Sequence, residues 1–273
     1  MPGQRPTDEL QRWAAEQLAA GQPPDELLSA MRGSGWDDDV ARQALQQAST
    51  PASPKRPVPT LASLPEATFI EADGHRLTVL CRLHKPNLAV LGGLLTAQEC
   101  EALMALARPR LARSETVDTR TGASEVNAAR TSDGMFFQRG ENALCQRIEQ
   151  RIARLLDWPV DHGEGLQVLR YRPGAEYKPH YDYFDPAHPG TPAVLRRGGQ
   201  RVATVVMYLN TPQRGGATVF PDLGLQVHPV AGHAVCFCYD EPSPATQTLH
   251  GGAPVLEGEK WVATKWLRAG RFD

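Results

Sequence analysis

The sequence predicts an α+β fold: a double-stranded β-helix, or jelly-roll, core with supporting helices, preceded by a small N-terminal helical bundle. Three observations carry that prediction. From residue 166 onward, short apolar-rich segments follow one another between Gly and Pro turns: LQVLRY, YKPHYDYF, RVATVVMYLN, ATVFP, LQVHPV, HAVCFCY, TQTLH and KWVATKWLR. Many short strands at such spacing read as a sandwich or a jelly roll. Two segments with helical apolar spacing precede them, and helices of that kind pack against one sheet. The first 50 residues carry helical spacing of their own and are set off by a proline-rich stretch. A chain of 273 residues, 41% hydrophobic and 22% charged, is long enough for one sizeable core plus an appendage.

Residues 1–50 read as three short helices. Thr7 can cap the first, which carries Leu10, Trp13, Ala14 and Leu18 on one face. Pro23 and Pro24 start the second, with Leu27, Leu28 and Met31, and Gly33 and Gly35 stop it. Trp36 opens the third, with Val40, Ala44 and Leu45. Asp37, Asp38 and Asp39 fall at its start, where carboxylates complement the helix dipole. The pattern resembles the small ubiquitin-associated-like three-helix bundles, which makes a partner-docking module the alternative to a purely capping role for the acidic run. Residues 51–66, with five prolines, read as a semi-rigid linker. The remaining domain is expected over 67–273.

That domain begins with strand-like alternation (TFIEA, HRLTVLCRL, LAVLGGLL). Thr96 then opens a capping box, T-A-Q-E, before a helix with Cys100, Leu103, Leu106 and Ala107. A second helix is expected over 141–157, with Leu144, Ile148, Ile152 and Leu155 at helical spacing. Residues 114–140 between them show little apolar periodicity, and a loop of that length is usually functional or disordered. RVATVVMYLN is apolar on both faces and belongs at the centre of a sheet. Residues 188–199 are expected to form a loop.

Composition narrows the function. A net charge of -2 and a pI near 6.5 give no sign of a general nucleic-acid or anionic-membrane binder. No apolar run approaches a membrane span, and MPGQRPTDELQRW lacks the apolar core of a signal peptide, so the expected location is cytoplasmic. The five cysteines (Cys81, Cys100, Cys145, Cys236 and Cys238) are odd in number and show no disulfide spacing. Cys236 and Cys238 would share a strand face; a zinc site is imaginable there, and buried core thiols are the plainer reading.

The chemistry centres on YRPGAEYKPHYD. His180 and Asp182 are two residues apart, so on a strand they would point to one face. His250 offers a third ligand. Two histidines and a carboxylate on one face of a metal, with open positions opposite, form the facial triad of non-haem Fe(II) oxygenases. Lys260, ten residues after His250, is a cation able to hold a carboxylate-bearing co-substrate. It falls among Val255, Trp261, Val262 and Trp266, a costly place for an unpaired ammonium. Lys260, Val262, Thr264, Trp266 and Arg268 share one face of the last strand if it is regular.

The segments YRPGAEYKPHYDYF, GGQRVATVVMYLN, GGATVFPDLG and LHGGAPVLEGEKWVATKWL resemble the Fe(II)/2-oxoglutarate dioxygenases of the prolyl 4-hydroxylase family, over residues 87–268 and in the family's order and spacing. The resemblance implies Fe(II) held by His180, Asp182 and His250. It implies 2-oxoglutarate held by Lys260 with help from the Tyr171 and Thr218 hydroxyls, O2 as oxidant, and ascorbate as a common accessory. It implies substrate contacts from Arg130 and Ser132, on a mobile Arg-Thr-Ser element, and from Glu164, Tyr177, Arg201, Trp266 and Arg268. Plainer readings stand beside these: an ordinary polar surface loop for Arg130 and Ser132, core aromatics for Trp266 and Tyr177, and an ion pair for Glu164 with Arg201. The reaction implied is hydroxylation of a peptidyl proline, coupled to oxidative decarboxylation of 2-oxoglutarate to succinate and carbon dioxide. The alternatives are a free amino acid or another peptide residue as target, or a degenerate barrel that binds a partner through its N-terminal bundle. A cupin-like zinc hydrolase or isomerase would keep the triad but has no need of Lys260. One departure stands out: the family often has an acidic residue in the turn before AVCFCY, and this chain has His233. His188, His228 and His233 are expected to be surface or loop residues.

Overall fold

The computed structural model describes residues 7–19, 21–49, 58–59, 61, 66–114, 116–117, 124–125 and 130–273. The chain divides into two compact units, Met1–Arg56 and Pro57–Asp273. Most of the 51–66 segment expected as a linker lies outside the described residues, as does 126–129.

In the first unit, α1 (Asp8–Ala19), α2 (Pro24–Gly33) and α3 (Asp38–Ser49) enclose a core of Leu10, Ala14, Leu27, Met31, Val40, Ala44 and Leu45. The Thr7 hydroxyl accepts from the Leu10 amide at 3.2 Å, as expected of a cap. Of the three aspartates, Asp38 also pairs with Arg32 and with Arg42 one turn on, so the run does more than face the helix dipole. The third helix begins at Asp38 rather than at Trp36.

The second unit opens with β1 (Phe69–Ala72), β2 (His75–Leu83) and β3 (Asn87–Gly92), then α4 (Ala97–Ala107). The capping box forms: the Thr96 hydroxyl accepts from the Glu99 amide, and the Glu99 carboxylate accepts from the Thr96 amide. Short strands β4 (Ala112–Arg113), β5 (Thr116–Val117), β6 (Ser124–Glu125) and β7 (Asp133–Phe136) follow, so part of the 114–140 stretch expected to be loop is paired. Next come α5 (Ala143–Leu156), capped by Asn142, then β8 (Gln167–Tyr171) and β9 (Tyr177–His180). The 188–199 segment is not all loop, since it holds the short helix α6 (Thr191–Leu195). Strands β10 (Arg201–Tyr208), β11 (Arg214–Gly215), β12 (Thr218–Phe220), β13 (Leu225–Val227), β14 (Ala234–Cys238), β15 (His250–Gly252), β16 (Val255–Glu257) and β17 (Lys260–Arg268) complete the chain. TQTLH does not form the expected strand. Pro244–Thr246 makes a tight turn, Gln247 takes a left-handed backbone (φ 54°), and pairing starts only at His250.

The strands form a jelly roll. A nine-stranded antiparallel sheet runs β1-β2-β3-β14-β10-β17-β8-β7-β4, and a four-stranded one runs β13-β12-β15-β9. Alternation divides the large sheet's two faces between two cores. Ala203, Val205, Met207, Ala234, Cys236, Cys238, Trp261 and Ala263 pack with Leu103, Ile148 and Ile152 of α4 and α5. Val206, Tyr208, Val235, Phe237, Leu169 and Val262 face Phe220 and Val227 of the small sheet. Cys236 and Cys238 therefore sit on the helix side as buried thiols, away from the histidines, and burial pushes the Cys238 thiol up to about 12. Ionic groups are buried on the helix side too. Arg151 is bidentate to Glu99 at 2.8 Å, and Lys265 reaches Glu149 at 2.6 Å, tying β17 to α5.

Candidate active site

His180 ends β9 and His250 begins β15, and the antiparallel register sets them directly opposite each other. Their rings lie 4.4 Å apart between centroids. The strands approach closely here because position 251 is glycine: a Cβ would stand 2.8 Å from the Tyr177 carbonyl oxygen. Asp182 does not lie on the strand, as its spacing from His180 had predicted. It sits in the bend after β9, yet its carboxylate still reaches both rings. Asp182 Oδ1 is 3.7 Å from His180 Nε2, and Oδ2 is 3.4 Å from His250 Nε2. Among the described residues these three are the one group whose His, Cys or carboxylate ligand atoms cluster, all within 4.8 Å of one another.

Each ligand is held from behind. His180 and His250 turn Nδ1 toward the carbonyls of Lys178 and Thr248, both at 2.9 Å, which leaves each Nε2 for the centre. The Thr204 hydroxyl donates to Asp182 Oδ2 at 2.7 Å. Burial and the neighbouring His250 push His180 down to about 3. Burial opposes charge on Asp182, but His250, His180, Arg201 and the Thr204 bond outweigh it and hold the carboxyl at about 2. A neutral imidazole beside an ionised carboxylate is the protonation a divalent cation requires of its ligands. The mix of nitrogen and hard oxygen, with no thiolate, suits iron.

Lys260 begins β17 opposite Tyr171 on β8. It is 4% exposed, and among the described residues it has no anionic or hydrogen-bonding partner. Its nearest features are the Tyr171 and Tyr208 rings, at 5.3 and 6.0 Å. Burial alone lowers its pKa to about 8. A buried ammonium without a counter-ion calls for an anion from outside. Tyr171, Thr218, Lys260, Val262, Thr264 and the triad line one cavity, so the last strand keeps the expected period. The Thr218 hydroxyl accepts from the Tyr208 phenol at 2.8 Å, a partner the sequence reading did not name.

A wider groove of about 960 Å³ adjoins this cavity, within the usual size of ligand clefts. Arg130, Tyr177 and Trp266 line both spaces, and Arg201 lines the groove. Tyr177 stacks on His180 (centroids 3.7 Å apart), and the Arg130 guanidinium lies over Tyr177 at 4.8 Å. Arg130 bridges to Tyr177, and Thr131 exchanges hydrogen bonds with Glu176, so this part of the Arg-Thr-Ser element is pinned to the edge of β9 rather than free. Three expected contacts are placed differently. Ser132 is fully buried and bonded to the Ser114 hydroxyl at 2.9 Å, outside cavity and groove. Glu164 and Arg268 line neither space. Glu164 pairs with Arg201 (2.7 Å) and with Arg268 (2.7 Å), so the ion-pair reading applies to it. The Arg201 guanidinium that Glu164 holds lies 4.0 Å over the Trp266 ring. Thr204 and Tyr239, which serve Asp182, escaped the sequence reading. Thr204 is the one hydroxyl within VATVVMYL apart from Tyr208, and a lone polar group in a two-sided apolar strand needs a partner.

Known proteins agree with this geometry. The profile of the 2OG-Fe(II) oxygenase superfamily matches residues 166–268, which hold the triad and Lys260. Probable prolyl 4-hydroxylase 3 of Arabidopsis thaliana is 40% identical over 209 residues, covering 69% of this chain and 71% of the relative. Prolyl 4-hydroxylase 1 of the same plant is 44% identical over 201 residues, covering 67% and 69%. The viral collagen prolyl hydroxylase of Paramecium bursaria Chlorella virus-1, solved with 2OG, is 30% identical over 66% of this chain and 95% of its own, with a TM-score of 0.50. Fold and site are thus those of a 2-oxoglutarate- and Fe(II)-dependent dioxygenase, an enzyme class that uses Fe(II), 2-oxoglutarate and O2. Within that class, the chain belongs to the prolyl 4-hydroxylase family.

Proposed function

We propose that this enzyme hydroxylates a prolyl residue of a peptide or protein, with succinate and carbon dioxide as co-products. The observation that carries the reading is the buried Lys260, which has no anionic partner among the described residues, in the same cavity as the His180–Asp182–His250 cluster. Iron bound by the triad would supply the oxidising power once 2-oxoglutarate and O2 are present. The rest is the work of the chain's own residues. Lys260 neutralises the co-substrate's far carboxylate, and the Tyr171 and Thr218 hydroxyls border that cavity. Leu169, Val206 and Val262 keep the wall apolar and limit water. The groove, lined by Tyr177, Trp266 and Arg201, offers an extended peptide two aromatic side chains and a guanidinium. Aromatic-lined grooves suit proline-containing segments, and the names of the plant and viral relatives support that target. Ascorbate as an accessory reductant, and a partner-docking role for the N-terminal unit, are further parts of this proposal.

The test is mass spectrometry of a proline-containing peptide after incubation with the enzyme, Fe(II) and 2-oxoglutarate. One added oxygen on a proline is expected. Succinate released with every peptide proline unmodified would assign another target.

A further inference from the structure

Asp182 is held by more than one hydroxyl. Thr204, wholly buried on β10, bonds both to Asp182 Oδ2 (2.7 Å) and to the Tyr239 phenol (3.0 Å). Hydrogen-bond inventory fixes the direction of this chain. An ionised carboxylate only accepts, so the single Thr204 proton goes to Asp182. The Thr204 oxygen is then free only to accept, and the Tyr239 hydroxyl must donate to it. Tyr239 is 2% exposed and, among the described residues, has no other hydrogen bond through that hydroxyl. Burial keeps the phenol protonated, its pKa well above the ordinary value.

We infer that Thr204 and Tyr239 are positioning residues for the iron: a one-way hydroxyl relay, Tyr239 to Thr204 to Asp182, that fixes the rotation of the carboxylate and stabilises its charge. Bonds in such a chain polarise one another, so Tyr239 strengthens the bond it does not touch. The remaining support for Asp182 is longer: the Arg201 Nη1 lies 3.4 Å from its backbone oxygen and 3.9 Å from Oδ1. Without Thr204 the carboxylate would be buried and charged, with only the longer Arg201 contact left to orient it. The inference rests on Asp182 being a metal ligand.

Metal affinity tests it without turnover. Co(II) binding by the full-length protein is measured by calorimetric titration and by the visible absorption of the bound ion. Loss of an outer-shell partner typically costs ~10–100-fold in metal affinity, and Thr204→Val is expected to weaken Co(II) binding by that factor. Thr204→Ser should restore affinity to near wild type. Tyr239→Phe should weaken binding several-fold. The double variant Thr204→Val/Tyr239→Phe should bind no worse than Thr204→Val alone, because a relay has nothing to pass on once its middle is gone. If Thr204→Val fails to fold, Tyr239→Phe against Thr204→Ser carries the comparison. Unchanged Co(II) affinity in Thr204→Val or Tyr239→Phe, with binding lost in Asp182→Ala, would overturn the relay alone. Independent, additive losses would also overturn it. Undiminished binding in Asp182→Ala would remove the ligand assignment beneath it.

Discussion

His180 and His250, seventy positions apart in the chain, are direct cross-strand partners on β9 and β15. The four-stranded sheet therefore makes the metal site: one antiparallel register brings two imidazoles together, and the bend after β9 adds the carboxylate. Replacing any of the three removes a ligand that no other described residue can supply. His180→Ala, Asp182→Ala and His250→Ala are each expected to reduce iron-dependent succinate formation to background, with secondary structure by circular dichroism unchanged.

Lys260 separates co-substrate binding from chemistry. A hydrogen bond to a charged group contributes about 1.5–3 kcal/mol, so Lys260→Ala should raise the KM for 2-oxoglutarate by roughly 10–100-fold, from that figure. Iron affinity should change little. Steady-state kinetics over a range of 2-oxoglutarate checks this, and an unchanged KM would break the pocket assignment.

The same residue sets a pH dependence. Burial lowers Lys260 to about 8 from 10.5. Below about pH 8 the ammonium is present and pairs with the incoming carboxylate; above it the free enzyme carries a neutral amine. The affinity for 2-oxoglutarate, measured by equilibrium titration without O2, should therefore fall as pH rises from 8 to 10. Lys260→Arg would stay charged throughout, so any binding it retains should not show this loss.

Glu164 stabilises the groove by holding two arginines. Removing one partner from a buried ion pair costs about 3–5 kcal/mol. Glu164→Ala should lower stability to chemical denaturation by that order and should release Arg201 from Trp266. The KM for peptide should rise more than the KM for 2-oxoglutarate. Equal effects on both would mean that Arg201 does not serve the groove.

The N-terminal unit has its own core. Removing residues 1–56 should leave turnover of a short peptide within about twofold of the full chain, since the site's residues all lie in Pro57–Asp273. Pro59 and Leu61, buried in the second unit, should be kept. A collapse of activity would make the first unit part of the catalytic machinery.

The sequence made the ligands legible because metal chemistry demands few residue types in a tight pattern. H-x-D, a distant His and Lys260 in an apolar run are such a pattern. Period two then placed Lys260, Val262, Thr264 and Trp266 on one face of β17, and the structure agrees. The boundary of β15 was hidden by Gln247, whose left-handed backbone no apolar pattern reveals. The Glu164–Arg201 ion pair was weighed from the sequence, whereas the burial of Ser132 and the pairing of Glu164 with Arg268 were hidden. Each hidden contact depends on a partner 18 or 104 positions away, and spacing along the chain carries no information about such contacts. Lys265 was hidden for the same reason: adjacent to Trp266 in sequence, it points through the sheet to Glu149 on α5.

The central claim is that Lys260 and the triad together make a 2-oxoglutarate-driven oxygenase acting on peptidyl proline. The most direct measurement is succinate formation by the purified protein with Fe(II) and 2-oxoglutarate, with and without a proline-rich peptide, beside a His180→Ala control. The account predicts succinate that rises with the peptide and disappears in the variant. No succinate from protein shown to hold iron would contradict it.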